Sequence, residues 1–329
     1  MKRLRIEDDD SSGLPRLRRL PDFSEAPHEL IAALVAATQA VGRELSYADA
    51  LGLTGAAFML RFSAGGPAHL DACRGRERFL PETLAQLGFP EARVVTDPAG
   101  ALNEVARDLA GGRAPIVLGC FPEAPWRAGL VTALLPEGLW AVLDCAGRVH
   151  SLAPRADALV LWGEPGEPRP VEALTPTTLL RRALSAWEGE GDEEGAGAWR
   201  RWIATVEQWP HLPQAELPAL VAAHEFVYEV LVDARGAGAL WLAIVAEQVE
   251  ETAAAWVMRA SQRLEEMVEL LEGRHPAVGD PVALQAFATG DWRRELAERL
   301  AEAAELDLAA KHDLERALQA AYPPEDDIG

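Results

Sequence analysis

The chain has 329 residues, with 31 Lys+Arg against 52 Asp+Glu and a formal net charge of -21. So acidic a surface excludes a general nucleic-acid binder, which needs a basic stripe to release counterions, and it is repelled by anionic lipid. With 49% hydrophobic and 25% charged residues, the composition is that of a packed soluble protein of about two domains, far from disorder.

The charge is unevenly placed. Residues 1–170 hold 18 basic and 22 acidic residues, and residues 171–329 hold 13 and 30. Three cysteines, Cys73, Cys120 and Cys145, form no C-x-x-C pair and no disulfide framework, which fits a reducing cytoplasm. Charge on both sides of Ile6 leaves no secretory signal. No apolar run of about 18 residues is present to span a membrane.

In chain order, residues 1–22 read as a mobile tail, with a docking arm as the alternative. Leu30, Ile31, Leu34, Val35 and Thr38 recur at helical spacing, which predicts a first amphipathic helix over 29–41. Ser46 precedes Asp49 by three positions, a capping-box-like start for a second short helix. The stretch Gly52 to Phe58 is rich in small residues and suits close packing. Pro81 opens a further short helix to Leu87.

A β-rich block follows. Pro115–Phe121 reads as a buried strand. Leu130–Leu135 pairs with Trp140–Asp144 across a Pro136-Glu137-Gly138 turn, and Val149–Leu152 and Ala158–Trp162 add two strands. After a Gly/Pro-rich linker, Thr175-Pro176 caps a helix to about Glu188, and the GEGDEEGAG run of residues 189–197 reads as an exposed loop. Helices are then predicted at 198–209, 215–234, 237–272, 281–289, 291–306 and 308–321. The expected fold is α+β, a small, mostly antiparallel sheet preceded by helices, followed by an all-α helical bundle. Its parts are a tail (1–22), an α+β domain (23–165), a linker with one helix and an acidic loop (166–198), the bundle (199–322) and a short tail (323–329).

Strong chemical motifs are missing. His224-Glu225-Phe226-Val227-Tyr228 begins like a zinc-protease helix, but Tyr228 stands where the second histidine belongs, so His224 reads as a hydrogen-bonded core histidine and no metal is expected. The helices carry no Glu-x-x-His for a di-metal bundle. With Lys2 and Lys311 the only lysines, Schiff-base chemistry has almost no candidate, and no cofactor is implied. Seven of the ten tryptophans fall in the second half, where they anchor helix packing or line a ligand groove. Cysteine chemistry remains. It needs a thiolate with a base in reach, and Cys120 and His150 sit at strand ends of one sheet. A buried structural cysteine is the alternative.

The order of elements, a helix near the N-terminus, the turn Tyr47 to Phe58, the strand Gly112-Arg113-Ala114-Pro115-Ile116-Val117-Leu118-Gly119 and the hairpin ending in Asp144, resembles papain-like domains. It resembles those of the butirosin-biosynthesis acyltransferase family and related bacteriocin-leader peptidases, and in particular looks like a group of bacterial proteins that join such a domain to a C-terminal helical bundle. The resemblance covers roughly residues 24–163, with looser similarity around Ala222 to Ala246.

It implies a nucleophilic cysteine at the start of the first long helix and a histidine at the start of the strand after the Pro-Ile-Val-Leu-Gly strand. Here the first place falls among Ser24, Glu25, Ala26, Pro27, His28 and Glu29, and the second near Trp126, Arg127, Ala128 and Gly129. Neither residue type is present, and Asp144 alone matches the acidic member. The resemblance therefore implies a non-catalytic pseudoenzyme that binds a small ligand or peptide near Ser24, His28, Trp126, Arg127 and Asp144. Two alternatives stand beside it. One is an amide hydrolase or acyltransferase with a relocated site, using Cys120 with His150, or His28 as base near Asp144. The other is a scaffold whose acidic bundle docks a basic protein partner.

Overall fold

The computed structural model describes residues 14–23, 26–62, 79–122, 127–166, 175–189, 194–209, 217–272 and 290–321, without the side chains of 79, 217–220, 222 and 223. The fold is α+β. Its helices are α1 (Glu29–Ala40), α2 (Tyr47–Thr54), α3 (Phe79–Gln86), α4 (Leu102–Ala110), α5 (Pro176–Glu188), α6 (Gly195–Gln208), α7 (Leu217–Ala246), α8 (Glu251–Leu271) and α9 (Gly290–Ala321). The strands are β1 (Arg93–Val95), β2 (Ile116–Leu118), β3 (Ala128–Leu134), β4 (Trp140–Leu143), β5 (Val149–Leu152) and β6 (Ala158–Leu161). Contacts divide the chain into two compact units, residues 1–44 with 88–167, and residues 45–87 with 168–329. Residues 45–87, which the sequence places in its α+β domain, thus group with the helices.

In the first unit the six strands form one antiparallel sheet in the order β1-β6-β2-β3-β4-β5. Every residue of β2, β4 and β6 is buried, as the unbroken apolar runs IVL, WAVL and ALVL require. Each buried Val, Leu or Ile there contributes about 1.5–3 kcal/mol. The edge strand β5 alternates exposed and half-buried residues instead. β2 is shorter than the expected Pro115–Phe121 strand because Gly119 turns the chain into the left-handed region at φ +71°. The β3–β4 hairpin turns at Pro136-Glu137-Gly138 as expected.

Three features of this unit depart from the sequence reading. The tail expectation fails for residues 14–22, because Leu17 N–H donates to Thr132 O at 2.8 Å and Leu134 N–H to Pro15 O at 2.9 Å, laying the segment along β3 with Leu17 and Phe23 buried. α4 and β1 are further elements that the periodicity did not reveal. Only Val105 and Leu109 give α4 an apolar stripe, a signal too short to separate from loop.

The second unit is helical. The expected break between helices at 234–237 does not exist, and α7 runs through Gly236 and Gly238 to Ala246. Gly238 is needed for closeness, since a Cβ there would come within 3.3 Å of both Ala57 and the Phe58 ring. The chain turns instead at residues 247–250, so the stripe predicted as one helix over 237–272 is two facing stripes on α7 and α8. The helices expected at 291–306 and 308–321 are one, because Asp307 is 2% exposed and serves as a core partner, not a cap. The helix expected at 281–289 lies outside the described residues, as do residues 190–193 of the GEGDEEGAG run, whereas its last three residues open α6 with Gly195 and Gly197 buried, so that end is helix and not exposed loop.

Asp307 accepts from Arg235 Nε at 2.7 Å, from Arg235 Nη2 at 3.2 Å and from Trp199 Nε1 at 2.9 Å. Arg235 is fully buried and also donates to the backbone carbonyl of Ala57. No helix among the described residues is long and apolar enough to cross a membrane. Removing one member of so buried a pair strands the other charge. Arg235→Met should therefore cost about 3–5 kcal/mol in denaturant unfolding, and Arg235→Met with Asp307→Leu markedly less than the two single changes together.

Candidate functional site

The first turn of α1, the start of β3 and the end of β4 meet on the first unit. α1 forms because its apolar residues leave almost no polar face: Leu30, Ile31, Ala33, Leu34 and Ala37 are all buried. This fixes Glu29, its first residue, at the sheet. Glu29 Oε2 accepts from Ala128 N–H at 3.2 Å, and Glu29 Oε1 lies 3.2 Å from Arg127 Nε. Arg127 Nη1 is in turn 3.8 Å from Asp144 Oδ2. A carboxylate, a guanidinium and a second carboxylate thus form a chain across three elements distant in sequence.

Asp144 is fully buried. Its Oδ1 accepts from the Arg148 backbone N–H at 2.8 Å, and its Oδ2 accepts from Arg148 Nε at 3.0 Å and from His150 Nε2 at 2.8 Å. The carboxylate acceptor assigns the Nε2 proton to His150. Burial alone would push the Asp144 carboxyl up, but the bonds from His150 and Arg148 outweigh it and hold the group below its ordinary value. The His150 ring stands edge-on to Phe121 with centroids 5.3 Å apart. Phe121 fits there because Gly129 in β3 has no side chain, and a Cβ would come within 3.1 Å of the Phe121 ring.

Of the residues marked in the sequence, Arg127, Asp144 and His150 are brought together. His28 is the cap residue of α1, immediately before Glu29, and is half-buried. Ser24 and Trp126 lie outside the described residues, as does Cys73. Cys120 is 6% exposed, no hydrogen bond joins it to His150 among the described residues, and burial pushes its thiol up to about 12. Cys145 is also buried, and its thiol donates to Glu29 Oε1 at 3.2 Å. Burial, then the charge and hydrogen bond of Glu29, push that thiol to about 12 as well. His224 belongs to the second unit and is a core histidine as expected, fully buried, with Trp202 Nε1–H donating to its Nδ1 at 2.8 Å. Among the described residues no group of three or more His, Cys, Asp or Glu side chains is placed to hold a metal ion.

Sequence reasoning did not single out Glu29 or Arg148. Arg148 had a local signal, standing four residues after Asp144 across the Gly147 turn. Glu29 had only its place as the first residue of the predicted helix. No protein-family model matches the chain, and no curated protein matches it.

His28 gives the site a pH dependence. Burial lowers its imidazole from 6.5 to about 4. The folded state then binds fewer protons than the unfolded state, so the contribution is complete above pH 6.5 and is lost as pH falls toward 4. Denaturant unfolding between these values should show a loss of at most about 3 kcal/mol, and His28→Gln should remove that part of the slope.

Proposed function

We propose that the α+β unit is a papain-like domain that has lost catalysis and serves, with its helical partner unit, as a binding module for a small ligand or peptide. One observation carries the reading. The three places at which the resemblance seats cysteine, histidine and acid are drawn together in space, at the start of α1, the start of β3 and Asp144. Convergence of just these elements is what a papain-like arrangement requires, since the nucleophile must lie at a helix N-terminus within reach of a base that an acid orients.

The side chains at those places perform none of the steps. Glu29 carries no thiol, and Arg127 offers a guanidinium, which is a donor with no acceptor lone pair and so no general base. Asp144 is bound by Arg148 and His150, with Arg127 alongside. The two described thiols stay protonated at neutral pH, Cys120 through burial and Cys145 through burial and a carboxylate that accepts its S–H hydrogen bond and would repel a thiolate. Arg127, one of the residues expected near a ligand, already faces Glu29 and Asp144, so among the described residues this cluster is a clamp.

Residue-resolved alkylation tests the reading. At pH 7 iodoacetamide should modify Cys120 and Cys145 about a thousandfold more slowly than a free cysteine, following their thiolate fractions. Modification of either at the free-cysteine rate or faster overturns it.

A further inference from the structure

The first unit has a cavity at the other end of α1, about 18 Å along the helix axis from Glu29. Its volume is about 350 Å³, and it is lined by Ala40 to Arg43 at the end of α1, by Gly111, Gly112 and Arg113 at the end of α4, and by Phe89 and Pro165. That is the size of a small-molecule site. Both helices end in a left-handed glycine, Gly42 at φ +74° and Gly112 at φ +77°, and a Cβ on either would meet nothing within 4 Å. The cap loops therefore form walls with open space before them.

The ionisable residues of the lining are two arginines. Arg113 is built into the wall with its side chain 6% exposed. Its Nε donates to Asp108 Oδ1 at 3.0 Å, and Asp108 is itself held by Trp162 N–H at 2.9 Å. Nη2 faces Arg107 O at 3.5 Å and Glu164 at 4.0 Å, while Nη1 has no acceptor among the described residues. Gly111 must be glycine, because a Cβ would collide with this guanidinium. Arg43 has no carboxylate partner among the described residues, in a chain of net charge -21. A fixed guanidinium and an uncommitted one lining the same cavity present the forked donors that a carboxylate fits.

A simple anion would meet an opposing field, because helix C-termini carry partial negative charge. The N–H groups of Val41, Gly42 and Arg43 are spent on Thr38 O and Gln39 O, while the last carbonyl of α1, that of Ala40, accepts nothing among the described residues. The same holds for Gly111 O after α4. Such carbonyls suit a cationic donor. Carboxylate and ammonium are thus provided for on one small surface, with Val41, Phe89 and Pro165 as apolar wall.

We infer that this cavity binds a small zwitterion of the amino-acid class, its carboxylate on Arg43 and Arg113 and its ammonium on the carbonyls ending α1 and α4. The inference rests on the binding-module reading and gives it a ligand class. Titration calorimetry on the full chain should use L-leucine, isocaproate, which lacks the ammonium, and isoamylamine, which lacks the carboxylate. Leucine should bind with Kd on the order of 1 mM or tighter, and each analogue at least about tenfold more weakly. Arg43→Gln should weaken leucine about tenfold or more with thermal unfolding unchanged, because that side chain holds no partner among the described residues. Gly42→Asn, which tolerates the left-handed conformation, should do the same by filling open space. Absence of leucine binding, equal binding of isocaproate, or full affinity in both variants overturns the inference. The binding-module reading fails instead on reactive thiols, so the two failures are told apart.

Discussion

A carboxylate with no exposure to water costs several kcal/mol unless other groups replace its hydration. Asp144 is such a group, and its needs organise the α+β unit. Two partners come from the chain just after it, Arg148 across a glycine turn and His150 on the edge strand. The third, Arg127, comes from the start of β3 and brings Glu29 with it, tying the first turn of α1 to the sheet. Glu29 then binds Ala128 N–H and the Cys145 thiol, so one buried charge connects a helix, three strands and a cysteine. Burial, and then the Glu29 carboxylate that accepts a hydrogen bond from its thiol, disfavour the Cys145 thiolate, whereas Cys120 is raised by burial alone.

The sheet was largely legible because its strands announce themselves twice, by β-branched apolar runs and by turn residues between them. Pro136-Glu137-Gly138 located the hairpin, and Gly119 marked a strand end that the apolar run Pro115–Phe121 alone overestimates. The helical half was legible in kind but not in its breaks. Gly236 and Gly238 looked like punctuation, yet at Gly238 the missing side chain serves close packing on Ala57 and Phe58. A helix break is expected at residue 307, whereas Asp307 lies within α9 as the buried partner of Arg235, 72 residues away in sequence. A residue's role in a long-range pair leaves no local pattern to read.

For the candidate site the sequence marked Arg127, Asp144 and His150 and none of the bonds between them. Arg127 and Asp144 were named from the resemblance, and Glu29 fell within the stretch it marked. That Glu29 and Arg127 would pair, and that Cys145 rather than Cys120 would join them, depends on how α1 lies against β3. The cavity was invisible for the same reason, since Arg43 and Arg113 are separated by 70 residues and meet only where two helices end. The charge asymmetry between the halves survives the observed division. Residues 1–44 with 88–167 hold 13 basic and 18 acidic residues, against 18 and 34 in the remainder. The helical unit therefore carries most of the net negative charge.

The central claim is that the start of α1, the start of β3 and Asp144 retain a papain-like geometry without its chemistry. Restoring the chemistry tests the geometry most directly. Glu29→Cys with Arg127→His, in a Cys145→Ser background that prevents a disulfide, would put a thiol at a helix N-terminus beside an imidazole near Asp144. Iodoacetamide modification of the new cysteine, followed against pH by residue-resolved mass spectrometry, reports its thiol pKa. The account predicts titration well below the free-cysteine value of about 8.5, as a helix dipole and an imidazolium require. Titration at or above that value would contradict it.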